Sequence, residues 1–272
     1  MNHRPGSCVE KDMSVKITLA VLGLLTAFAI PAAAAPPPDY KVWGELLGKY
    51  YDPAQGMNYK GLKEQDKKTL DALRERMGAV DVNFLTKEDR LAYWINLYNI
   101  SVVGIVVDNY PIESIKDLST DPLIRLNIFK KPLVKTKQGM VSLNDIENEK
   151  IRDGFKDARI HFAINCAAES CPPIRLEPYV GSKVNQQLED QTIRFLNGPQ
   201  GVRTEKKGAV LVLHVTKVMD WFEEDFNKWA GGQLAFLNRY LIREKQKQLE
   251  AAGNQVKIEF DDYSWELNDT SK

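Results

Sequence analysis

The sequence is short of the residues that mark special classes of protein. Among 272 residues there are only three cysteines and three histidines, too few for a disulfide-dense scaffold or a metal protein with several centres. Neither sign of charge is in excess, with 37 basic and 37 acidic side chains, so there is no electrostatic reason to expect nucleic acid or an anionic membrane as a partner. Seventeen glycines and 13 prolines exclude a collagenous or low-complexity chain. No uninterrupted apolar run reaches the roughly 20 residues that span a bilayer. What is present is 43% apolar residues in a chain able to bury roughly 70–75% of its unfolded surface. Its core needs neither a disulfide nor a metal, and no cofactor is expected.

The N-terminus reads as an address. Ile17–Ile30 is apolar, follows Lys11 and Lys16, and precedes a small-residue segment in which Ala32 and Ala34 fit the positions before a signal cleavage site. Residues 1–34 are therefore expected to be a signal peptide, leaving a periplasmic or secreted protein with no stable membrane span. Cys8 and His3 go with the signal, so Cys166, Cys171, His161 and His214 enter a disulfide-permissive compartment. Residues 35–38 form a Pro-rich leader, and no later linker divides residues 39–272.

Periodicity predicts helices over Lys41–Tyr51 and Gly61–Met77, then a third beginning at a Thr86 cap and running to Asp108. Apolar side chains cover nearly the whole circumference of this third helix, which predicts a central buried element; Asn96 and Asn99 are its polar exceptions. Pro132–Lys137 and Met140–Leu143 read as a hairpin about Gln138–Gly139, followed by a helix from Asn144 or Asp145 to Arg152. Alternation predicts a strand over Arg159–Asn165. A helix over Ser182–Leu196, a hairpin of Val202–Glu205 with Ala209–Val215, helices over Lys217–Trp229 and Gln233–Ala252, and a strand over Val256–Phe260 complete the pattern. Glu223, Glu224 and Asp225 are expected to face largely outward; Tyr263 and Trp265 could line a groove, though aromatic residues near a C-terminus more often seal the core. Without a regular βαβ rhythm, the fold class is α+β: one domain with a central buried helix, a largely antiparallel sheet and flanking helices.

Five blocks, Leu91–Asn99 (LAYWINLYN), Ser142–Glu147 (SLNDIE), His161–Pro173 (HFAINCAAESCPP), Trp221–Phe226 (WFEEDF) and Tyr263–Asn268 (YSWELN), closely resemble the domain of unknown function 547 family in its own order, over about residues 91–268. The resemblance implies a single α+β domain whose landmark is an asparagine-rich helix followed by a His…Cys segment. It implies no reaction.

The chemistry of the residues suggests three uses of that segment. Cys166, at the corner after the expected strand, suits a nucleophilic thiolate, with His161 as base and Glu147 or an asparagine as orienter. Asn96, Asn99 and Cys171 are then candidate binding residues, for a small-molecule or peptide ligand. Alternatively, Cys166 and Cys171 form a disulfide in a non-enzymatic binding protein; a C-x4-C ring contributes only about 2 kcal/mol and would pin its own loop. A third option, a tetrahedral site of both cysteines with His161 and His214, has spacing at the wide end of the zinc pattern, and no metal is assigned. His214 reads as an edge histidine of its strand.

Overall fold

The Lys87–Asn109 helix forms the axis of the core. Thr86 caps it by accepting the Asp89 N–H at 3.0 Å, and every residue from Leu91 to Val107 is buried. It is long and apolar enough to cross a membrane, but 94% of its apolar window is buried inside the protein, the property of a core helix. The computed structural model that shows this describes residues 1–2, 36–119 and 127–270. Residues 3–34 of the expected signal peptide lie outside the described residues.

The Tyr59–Gly78 helix packs along the central one. Asn58 caps it, Leu70, Leu73 and Met77 supply its buried stripe, and Lys67 and Arg74 reach Asp108 at 2.6 and 2.7 Å. The Lys41–Tyr50 helix buries Trp43, Leu46 and Leu47 in the same core. A second apolar cluster, with Phe162, Phe195, Phe226 and Phe236 at its centre, lies under a three-stranded sheet. There Val210–Val215 pairs antiparallel with Arg203–Lys207 and parallel with Val256–Phe260. The α+β class is as expected; the sheet is mixed, accompanied by two small antiparallel hairpins.

Arg159–Asn165 is not a strand. Ala158–Phe162 is a 3₁₀ turn, capped by Asp157 accepting the Arg159 N–H at 3.0 Å. Its alternation has another cause: Ile160 belongs to the first core and Phe162 to the second, so the segment is wedged between two apolar clusters and carries His161 with it. The helix expected over Lys217–Trp229 breaks at Phe222 (φ −116°, ψ 29°) into Lys217–Trp221 and Glu223–Ala230. The one expected over Gln233–Ala252 is Gln233–Tyr240 and Arg243–Ala252, because the Asn197 side chain captures the Tyr240 carbonyl and the Ile242 N–H between them. The hairpin of Val134–Thr136 with Gly139–Val141 turns at Lys137–Gln138, one residue earlier than expected. Ser142, not Asn144 or Asp145, starts the next helix through a reciprocal cap with Asp145. That helix widens to π geometry over Ile146–Arg152, a departure often found at functional sites.

Candidate functional site

A cleft of about 170 Å³ brings together Glu147, His161, Cys166 and Cys171. Its walls are largely aromatic: Phe129, Trp221, Phe222, Tyr263 and Trp265. Tyr263 and Trp265 do not seal the core as expected. They pack against each other and against Trp221, which is 45% exposed and stacks on Trp265, to form the aromatic side of the opening.

Cys166 sits on a turn whose geometry is fixed by two asparagines. Asn99 reaches from the central helix to donate to the Ala163 carbonyl and accept the Asn165 N–H, both at 2.9 Å. Asn165 then accepts the Ala167 N–H at 2.8 Å and donates to the Pro172 carbonyl at 2.9 Å. The result is Ala167 held at φ 65°, a left-handed conformation costly for a residue with a Cβ and characteristic of over-determined sites. Asn96, three residues away on the helix, pairs with both backbone groups of Tyr179. Both candidate binding asparagines thus satisfy buried backbone groups, Asn99 beside the cysteines and Asn96 elsewhere.

The two cysteines are free thiols with their sulfurs 2.7 Å apart, longer than the ~2.05 Å of a disulfide bond. The expected bridge is therefore not present. The Cys166 sulfur also contacts the Tyr263 hydroxyl at 3.1 Å. Burial pushes its pKa up, but hydrogen bonds from Cys171, Tyr263 and the Ala168 N–H outweigh that and hold it below the ordinary thiol value. Cys171 goes the other way: burial and the neighbouring Cys166 sulfur raise it well above. One thiol is thus poised to ionise and the other is kept protonated.

His161 lines the same cleft as Cys166 but does not hydrogen-bond to it. Its Nε2 lies 2.7 Å from the Asp225 carboxylate, and its ring stacks on Phe222 at 4.0 Å between centroids. A carboxylate can only accept, so Nε2 carries the proton and Nδ1 keeps its lone pair. Nδ1 is buried and has no hydrogen-bond partner. Burial lowers the His161 pKa against the opposing pull of Asp225, which keeps the ring neutral near pH 7 and able to accept a proton.

The carboxylate that contacts His161 is that of Asp225, not Glu147. Arg152 forks onto Asp225 through Nε at 2.7 Å and Nη2 at 3.1 Å. Despite burial, His161 and Arg152 hold the Asp225 carboxyl far below the usual range. Asp225 was expected to face outward with Glu223 and Glu224; those two are exposed, but Asp225 is half-buried against His161. Glu147 takes a different part. Burial pushes its pKa up to about 7, against the Arg152 charge and a 3.4 Å bond from the Tyr98 hydroxyl. Near neutrality it is poised between acid and base, the condition of an effective proton donor or acceptor.

That shift has a measurable consequence. Unfolded, Glu147 titrates near 4.5, so between about 4.5 and 7 the folded chain holds a proton that the unfolded chain has released. Stability accordingly falls as pH rises through this window. Glu147→Gln is expected to match the parent near pH 4 and to exceed it at pH 8 by about 1–2 kcal/mol after solvent screening, read from urea midpoints. An offset of equal size at both pH values would disprove the assignment.

The four-ligand metal set does not assemble. His214 lies on the sheet, 2.9 Å from Glu205, and among the described residues no group of three or more His, Cys, Asp or Glu side chains is placed to hold a metal.

Compared with known proteins, residues 82–196 match the family model described as a protein of unknown function, DUF547. The match takes in the blocks around Asn96, Glu147 and Cys166 and stops short of those containing Asp225 and Tyr263. No curated protein and no solved structure matches.

Proposed function

From the premise that the chain belongs to the DUF547 family, we propose that it is an exported thiol-dependent enzyme acting on an acyl or amide bond. Cys166 is the nucleophile, His161 the base and Asp225 its orienter. The observation that carries this reading is a neutral imidazole, fixed by a carboxylate and with one nitrogen unpartnered, in the same cleft as a thiol held below its ordinary pKa. The thiolate attacks the carbonyl carbon without needing His161 to deprotonate it. The leaving group departs with a proton from solvent; His161 Nδ1 then takes a proton from the water that resolves the acyl-enzyme as the Cys166 thiolate departs, and releases it to solvent. Glu147, half-protonated near pH 7, can donate a hydrogen bond to the developing oxyanion. The small cleft with aromatic walls suits a small-molecule or peptide acyl group, and no nucleic acid partner is part of this reading. The signal peptide expected over residues 1–34 supports a periplasmic or secreted location.

The alternative, a non-enzymatic periplasmic binding protein pinned by a Cys166–Cys171 bridge, has less support because both thiols are free. The pH dependence of iodoacetamide labelling separates the two. The expected result is labelling of Cys166 with a half-point well below the free-cysteine value of about 8.5, absent from Cys166→Ser. Labelling at or above that value would overturn the nucleophile.

A further inference from the structure

The asymmetry between the two cysteines goes beyond acyl transfer. A nucleophile that works alone needs no second thiol in contact with it, yet Cys171 lies against Cys166 and accepts that residue's backbone N–H at 2.9 Å. We propose that the pair carries out thiol–disulfide exchange, with Cys166 attacking a low-molecular-weight disulfide and Cys171 resolving the mixed disulfide. The proposal rests on Cys166 being nucleophilic, and it adds a role that acyl transfer does not require.

Exposure assigns the order of events. Cys166 is half-buried on the cleft, where a disulfide can reach it, whereas Cys171 is buried at 8% relative exposure behind it. In the first step the Cys166 thiolate attacks one sulfur of R–S–S–R. A Cys166–S–R bond forms, the substrate S–S bond breaks, and the departing thiolate takes up the proton that Cys166 had released. In the second step Cys171 loses its proton to solvent and its sulfur attacks Cys166 Sγ. The intramolecular disulfide forms and the second R–S⁻ leaves, taking a proton from solvent. Two protein thiols are oxidised and one substrate disulfide is reduced to two thiols.

The local electrostatics support this sequence. Cys171 is held protonated by burial and then by the Cys166 sulfur. Once Cys166 is tied up in a mixed disulfide it carries no charge, so that second influence is removed when Cys171 has to ionise. The Cys166 N–H remains to stabilise the new thiolate. Closing the bridge then brings the sulfurs only from 2.7 Å to about 2.05 Å.

The test is reaction of the fully reduced full-length chain, with Cys8→Ser in every sample so that Cys166 and Cys171 are its only thiols, with glutathione disulfide, followed by acid quenching and peptide mass analysis. Wild type is expected to release two glutathione molecules per chain and to end as a Cys166–Cys171 disulfide with little lasting adduct. Cys171→Ser is expected to release one and to accumulate at least tenfold more glutathione adduct on Cys166. Should Cys171→Ser fail to fold, the wild-type release ratio still decides the matter. A wild-type chain that stops at the Cys166 adduct, with one glutathione released, would overturn exchange while leaving the nucleophile intact. A chain in which Cys166 does not react at all would overturn both.

Discussion

Replacing Asp225 with alanine is expected to lower stability by about 2–4 kcal/mol at pH 7 and to reduce thiol-dependent acyl transfer by about 10²-fold or more. Asp225 neutralises Arg152 and satisfies His161. Removing it leaves a partly buried guanidinium without its counter-charge and an imidazole with both nitrogens unpartnered. The estimate stays below that for a fully buried pair because both Arg152 and Asp225 side chains are 23% exposed. The pH dependence distinguishes this role from simple packing. The folded Asp225 pKa is depressed, so its contribution is complete above the unfolded value of about 3.8 and is lost as pH falls through the lower folded value. The gap between the parent and Asp225→Ala in urea titrations should therefore be wide at pH 7 and narrow in acid. A gap that does not change with pH would show that the carboxylate's charge has no part in it.

Asp225 also marks the limit of what the sequence reveals. The buried central helix was legible because seventeen residues from Leu91 to Val107 hold an almost unbroken apolar composition, which leaves few alternatives to the core. Cys166, His161 and Glu147 were legible as chemistry because each is a rare or reactive type in a block with family character, and all three line one cleft. Asp225 was not, because it stands in an acidic run with Glu223 and Glu224, although helical spacing from Val218, Phe222 and Trp229 puts it on their inward face. At the break, the Phe222 ring packs on His161 and under Arg152, the two partners of Asp225. The Arg159–Asn165 segment failed for the opposite reason. Its period of two was real, but it came from two cores lying on either side of a 3₁₀ turn. In that segment a local pattern fits two apolar surfaces where a strand would face one.

The role of the asparagine helix yields the second large effect. Asn99→Leu preserves volume and apolar packing but leaves the Ala163 carbonyl and the Asn165 N–H buried without their partner. Each orphaned group costs about 1–3 kcal/mol, so a loss of about 2–5 kcal/mol is expected from denaturant titration. Stability alone does not separate Asn99 from Asn96, because Asn96→Leu orphans the two backbone groups of Tyr179 in the same way and should cost about as much. What separates them is the path onward. Asn99 fixes Asn165, Asn165 fixes Ala167 and Pro172, and those residues set the turn that places Cys166 against Cys171, Tyr263 and the Ala168 N–H. In Asn99→Leu the hydrogen bonds that lower the Cys166 pKa lose their support, and the half-point of iodoacetamide labelling should move up toward the free-thiol value of about 8.5. In Asn96→Leu it should stay where it is. Equal shifts in the two variants would mean that the turn is held by the core as a whole and not by Asn99.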